Sequence, residues 1–242
     1  MCFHANVKAS AQQISERFDL QIPMGLHFPK LFHVSGFRFP NLPVALSEAP
    51  TKLNLAAWGL IPSWVKSAED ARAIRSKTLN ARSESIFEKA SFRDSVGPQR
   101  CLIFATGFFE WKLVGKKKFP HFIYCKDQSI FAFGGIYQKS PFSEENNLSV
   151  TFSIVTTPAN ELMEDIHNTK KRMPLILPFD QTKAWLDQSL SNSNIQSMMK
   201  PYEGKMGAHP VALNLKSSDA AGPEVMNPVN YPELNFIQGS LF

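Results

Sequence analysis

Cysteine stands at position 2 of this 242-residue chain. Removal of Met1 would make Cys2 the amino terminus, with an α-amine and a thiol on adjacent carbons. A terminal amine has a reference pKa of ~7.7–8.0 against ~10.4 for lysine, so a sizeable fraction, roughly a tenth or more, is neutral and nucleophilic near pH 7. The thiol, at ~8.5, reacts as thiolate. Together they can capture an aldehyde: the amine gives an imine, and sulfur closes on the imine carbon to form a thiazolidine. An internal cysteine cannot do this. Position alone proves little, because most second residues only govern loss of the initiator.

Three other places break the local pattern. In LNARSES (79–85), Asn80 and Arg82 share strand parity; an amide can orient a substrate or a turn, and a guanidinium can fork onto phosphate. A polar loop with a solvated arginine is the plainer alternative. In CLIFATGFFEWK (101–112), Glu110 sits among Phe104, Phe108, Phe109 and Trp111. Buried there, a carboxyl would have a raised pKa suited to moving protons; alternation alone would equally turn it outward. In DIHNTKKRMPLIL (165–177), His167 precedes the basic run Lys170, Lys171 and Arg172. A histidine exchanges protons near neutrality, and the cations could face phosphate, although such runs are commonly solvated. The GKKK stretch (115–118) reads as a soluble hairpin tip. Trp58 and Trp64 flank a Pro62 turn and could stack on bases, with core packing the commoner fate for Trp58.

The elements that must position these residues are mostly strands. Residues 8–19 read as a short polar helix. Residues 20–50, punctuated by Pro23, Pro29, Pro40, Pro43 and Pro50, read as irregular chain with brief strands. Strand-type runs follow at 53–58, 101–113, 121–125, 129–137, 149–157 and 173–178, with a last strand and loop over 209–218. Helical signatures fall near 82–90, at 158–166 behind Pro158, and at 179–190 with Asp180 as N-cap. Strands outnumber helices without alternating with them. The expected fold is therefore α+β: a single domain over residues 1–242, mainly antiparallel sheet curled into a barrel, with flanking helices.

Composition bounds the function classes. Hydrophobic residues make up 43% and charged residues 19%, which supports a packed core and argues against disorder. A net charge of +5 tilts toward an anionic partner, nucleic acid first. Three cysteines (Cys2, Cys101, Cys125) without a CxxC pair suggest neither a disulfide framework nor a zinc site. No metal or cofactor is expected. No apolar leader or membrane-length run is seen, so a cytoplasmic, soluble protein is expected.

Taken in order, MC, WGLIPSW, LNARSES, CLIFATGFFEWK, IVTTPAN, IHNTKKRMPLIL and the late HPV make the chain resemble the SRAP family, the SOS-response-associated peptidase-like proteins that process abasic sites in DNA. The resemblance spans nearly the whole chain. It implies that Cys2, freed of Met1, traps the ring-opened sugar of an abasic site in single-stranded DNA as a thiazolidine crosslink. It further implies that Asn80 positions the amine, that Glu110 shuttles protons, and that His167 serves acid–base steps. Arg82, Trp64 and Arg172 match residues that face DNA, and a monomer is expected. Lys170 and Lys171 lie in a short insertion and receive no role. Where the family has MCGRF, this chain reads MCFHAN, so His4 replaces an arginine and Phe3 a glycine; His33 replaces an asparagine, and Val65 a second tryptophan. A peptidase or amide hydrolase using Cys2, or a non-catalytic single-strand binding module, are the alternatives.

Overall fold

The computed structural model describes residues 2–140, 142, 149–212 and 222–235. In chain order it has β1 (His4–Val7), α1 (Ala11–Phe18), β2 (Leu31–Ser35), β3 (Asn41–Leu46), β4 (Ala49–Trp58), α2 (Ala68–Arg75), β5 (Asn80–Arg82) and α3 (Arg93–Val96). These are followed by β6 (Arg100–Ala105), β7 (Gly107–Val114), β8 (Lys117–Cys125), β9 (Phe131–Lys139), β10 (Val150–Pro158) and α4 (Glu161–Ile166). The last elements are β11 (Arg172–Pro174), β12 (Ile176–Leu177), α5 (Thr182–Leu186), α6 (Asn192–Met198), β13 (Met206–Pro210) and α7 (Pro232–Asn235). This is an α+β fold with a mostly antiparallel, curled sheet.

Five strands form one sheet in the order β13-β8-β7-β1-β2. The second follows β11-β10-β4-β3-β6-β9-β12 and curls until β9 also pairs with β10, so β3, β4, β10, β9 and β6 close into a ring. Its parallel contacts are short: β4 against β10, and β5 against β10 with Ile154 opposite Asn80. Strands of the second sheet bury both faces. In β6, Cys101 and Ile103 join a core shared with Ala5, Phe108 and Ile123 of the first sheet. The alternate residues Leu102 and Phe104 pack with Ile14 and Phe18 of α1 and with Trp185 and Ile195 of the later helices. That double burial explains why apolar runs replace alternation here.

The helix at the start follows from its cap: Ser10 accepts from Gln13 N, Gln13 answers to the Ser10 N–H, and Ile14 and Phe18 face inward. Gly59, in the WGL turn, has φ +101°, and a side chain there would press on the Arg75 carbonyl 3.0 Å away, so glycine is required.

Several expectations need correction. Residues 83–92 form turns, not a helix, while α2 forms at 68–75 behind a Ser67 cap. The run 101–113 splits at Thr106, where the chain leaves the second sheet (β6) for the first (β7). Asp180 lies inside a 3-10 turn and does not cap α5, whose N-cap is Gln181 with no side-chain bond. The last strand begins at Met206 and ends at Pro210, and residues 213–218 lie outside the described residues.

Candidate active site

Strand β1 is the central piece. It pairs with β7, His4 opposite Phe109 and Ala5 opposite Phe108, so the residues just before it are carried to the level of Glu110. Cys2 has no exposed surface. Its carbonyl accepts a 2.9 Å hydrogen bond from Asn80 Nδ2, from the first residue of β5, and its sulfur lies 3.8 Å from the His4 carbonyl. Asn80 is itself buried, and among the described residues its Oδ1 accepts no hydrogen bond. Burial first, and the charge of Glu110 second, push the Cys2 thiol well above its ordinary pKa. Met1 lies outside the described residues.

Glu110 and His167 face each other. Glu110 Oε2 and His167 Nε2 are 3.9 Å apart, with both side chains 7% exposed. Burial raises the Glu110 carboxyl from 4.5 to about 7. His167 ends α4, and burial lowers its pKa although the Arg172 carbonyl, 2.8 Å from Nδ1, acts in the opposite sense. A carbonyl can only accept, so Nδ1 carries the ring proton. The neutral ring therefore turns the Nε2 lone pair toward a carboxyl that is half protonated near neutrality. The 3.9 Å separation is too long for a direct hydrogen bond.

These groups open onto a cleft of about 690 Å³ lined by Phe3, His4, Arg82, Glu110, Trp111, Lys118, His167, Thr169, Lys170 and Arg172. Four of the seven singled-out residues line the cleft, Glu110 paired with His167 and Arg82 and Arg172 on the walls, while Cys2 and Asn80, bonded to each other, are buried behind it and do not line it. Arg82 is exposed. Arg172 is occupied: its guanidinium forks onto Glu84 at 2.7 and 2.9 Å and also reaches the Thr156 carbonyl at 2.6 Å. Trp64 is not a lining residue; it is 49% exposed, and its indole N–H donates to the Ala90 carbonyl. Trp58 is core.

His4 and His33, where the resemblance anticipates an arginine and an asparagine, form a pair of their own. His33 Nε2 and His4 Nδ1 are 3.1 Å apart, and His4 packs edge-on to Trp111 at 4.7 Å. Burial first, then His33, lowers the His4 pKa to about 4, so this wall is uncharged at neutral pH. The residue-by-residue reading passed over Lys118 and Trp111. The hairpin appearance of GKKK hid the former, and a tryptophan in an apolar run gives no sign of facing a cleft. Among the described residues, no group of three His, Cys, Asp or Glu is placed to hold a metal, and no helix is long and apolar enough to cross a membrane.

A curled sheet that buries Cys2 near a carboxyl–imidazole pair, with that pair opening onto a basic cleft, defines a class of protein. Residues 1–218 match the SOS response associated peptidase (SRAP) family, and the chain belongs to it. It is 35% identical over 232 residues to the abasic site processing protein YoqW of Bacillus subtilis, covering 93% of this chain and 99% of that protein. The abasic site processing protein HMCES of Gallus gallus is 29% identical over 196 residues, 71% of this chain and 56% of the other. A crystal structure of a Bacteroides thetaiotaomicron protein superposes with a TM-score of 0.87 at 38% identity, covering 95% of this chain and all of the other.

Proposed function

We propose that this protein processes abasic sites in single-stranded DNA by covalent capture through Cys2. The observation that carries the reading is the 2.9 Å hydrogen bond from Asn80 that holds the Cys2 backbone next to the Glu110–His167 pair. The names of the YoqW and HMCES relatives supply the substrate class.

Loss of Met1 creates the α-amine and removes the residue that precedes Cys2, so access from the cleft is part of the proposal. The amine adds to C1 of the ring-opened sugar. Protonated Glu110 delivers a proton to the departing hydroxyl, the Nε2 lone pair of His167 takes the proton shed by the amine nitrogen, water leaves, and an imine remains. The thiol then adds to the imine carbon, its proton passes to nitrogen, and a thiazolidine results. One C–N and one C–S bond form, and one water is lost. Asn80 Oδ1 can accept from the new amine while Nδ2 keeps the carbonyl fixed. Arg82, with Arg172 and Trp64, contacts the strand.

The test is a denaturing gel with protein and a single strand bearing one abasic site. We expect a shifted, heat-stable band, lost in Cys2→Ala and in protein whose Met1 is retained behind an amino-terminal tag. Full crosslinking by the tagged protein would refute the terminal-amine chemistry. Release of a peptide without DNA would favour hydrolysis.

A further inference from the structure

The cleft has a second cationic lip that neither the proposed chemistry nor Arg82 uses. Lys118 opens from the β7–β8 hairpin and Lys170 from the loop after α4; both are exposed and both line the cleft. Neither side chain makes an ion pair or hydrogen bond among the described residues, and neither does Lys116 at the hairpin tip, whereas Lys112 is tied to Asp165 at 2.6 Å, Lys117 to Glu233 at 3.2 Å and Lys171 to Glu164 at 3.6 Å. Of the six lysines on the hairpin and the loop, three have no counter-ion among the described residues, and two of those three, Lys118 and Lys170, stand at the opening of the cleft.

The hairpin and the loop are also fastened together. Asn168 accepts from Leu113 N at 3.1 Å and donates to Leu113 O at 2.8 Å, a two-way clip that mimics a strand pairing, and Lys112–Asp165 reinforces it from α4. The two lysines are therefore presented by one braced unit. Elsewhere in the cleft the charge is already committed: Arg172 is neutralised by Glu84, and His4 is neutral.

From this we infer that Lys118 and Lys170 form a phosphate-binding lip for the backbone of a single nucleic acid strand beyond the nucleotide that enters the pocket. The inference rests on the single-strand reading above and gives it reach: the preferred substrate is a strand, and an isolated abasic sugar phosphate is a poor one. Aromatic surface at the same opening, Phe3 and Trp111, suits the bases such a strand would bring.

Binding of an undamaged fluorescent single strand, followed by anisotropy as salt is raised, tests this separately from crosslinking. Each phosphate neutralised on a single strand contributes ~0.7 to the slope of log K against log salt. Lys118→Ala/Lys170→Ala should lower that slope by about 1.4 and weaken binding at least about tenfold at low salt. Lys183→Ala, on α5 and outside the cleft, should do neither. An unchanged slope in a double variant that melts like the parent would overturn the proposal, as would an equal drop in Lys183→Ala. A parent protein that fails to crosslink abasic DNA, yet shows the slope loss, would remove the covalent chemistry and leave the lip standing.

Discussion

Glu110 carries an energetic conflict that its proposed role requires. Its carboxyl ionises at about 7 in the fold against 4.5 in the open. Between those values the folded state binds more protons than the unfolded one, so stability falls as pH rises through that window and stays reduced above it. At about 1.36 kcal/mol per pH unit, up to about 3 kcal/mol is lost by pH 8. Glu110→Gln should therefore raise the denaturant midpoint at pH 8 and change it little at pH 4.5. The same variant should crosslink at least about a hundredfold more slowly, in the range expected for one acid–base group. It should also lose the break near pH 7 in the rate profile. Equal stabilisation at both pH values would mean that Glu110 is not held protonated. At this scale the sequence left Glu110 open between an outward-facing strand residue and a buried carboxyl with a raised pKa, and the fold buries it. It was silent on Lys118, whose significance lies in which neighbours lack a counter-ion.

Elements fared unevenly, for identifiable reasons. The amphipathic spacing of Ile14 and Phe18 behind the Ser10 cap made α1 readable from local signals. The ARSESIFEKA stretch has ordinary helix formers, but tertiary pairing overrides them. Arg82 belongs to β5 opposite Thr156, Ser83 N donates to the Thr156 carbonyl, and Glu84 is drawn to Arg172. The switch of sheets at Thr106 was hidden because apolar runs lie on both sides; the hydroxyl that fixes it bonds Asn6, a hundred positions away in sequence. The Arg172–Glu84 fork thus holds the 83–92 turns against β10. Arg172→Lys keeps the charge and loses the planar fork. With Arg172 11% exposed, it should cost about 1–3 kcal/mol in urea unfolding. Protease cutting should appear first within residues 83–92. Unchanged stability with reduced DNA affinity would instead make Arg172 purely a DNA contact.

For the molecule as a whole, the active site stands on a core that neither sheet owns. Cys2 and Ala5 reach it from the first sheet, Phe133 and Phe152 from the second, and the Phe108 and Phe133 rings meet edge to face with centroids 5.9 Å apart. On the far side of the second sheet, Trp185 and the helices make a separate core. We propose that the two layers nevertheless melt as one unit, because β6 and β9 each contribute to both cores and cannot be ordered for one alone. Two tryptophans report the layers: Trp58 in the shared core and Trp185 in the helical one, each with no exposed surface. Phe108→Ala removes a fully buried ring from the joint between sheets and should cost about 3–5 kcal/mol. In versions keeping only Trp58 or only Trp185 near the core, both signals should shift to the same lower denaturant midpoint, and loss of crosslinking should track them. Separate midpoints, with Trp185 unmoved, would show that the helical layer folds without the sheet that carries Glu110.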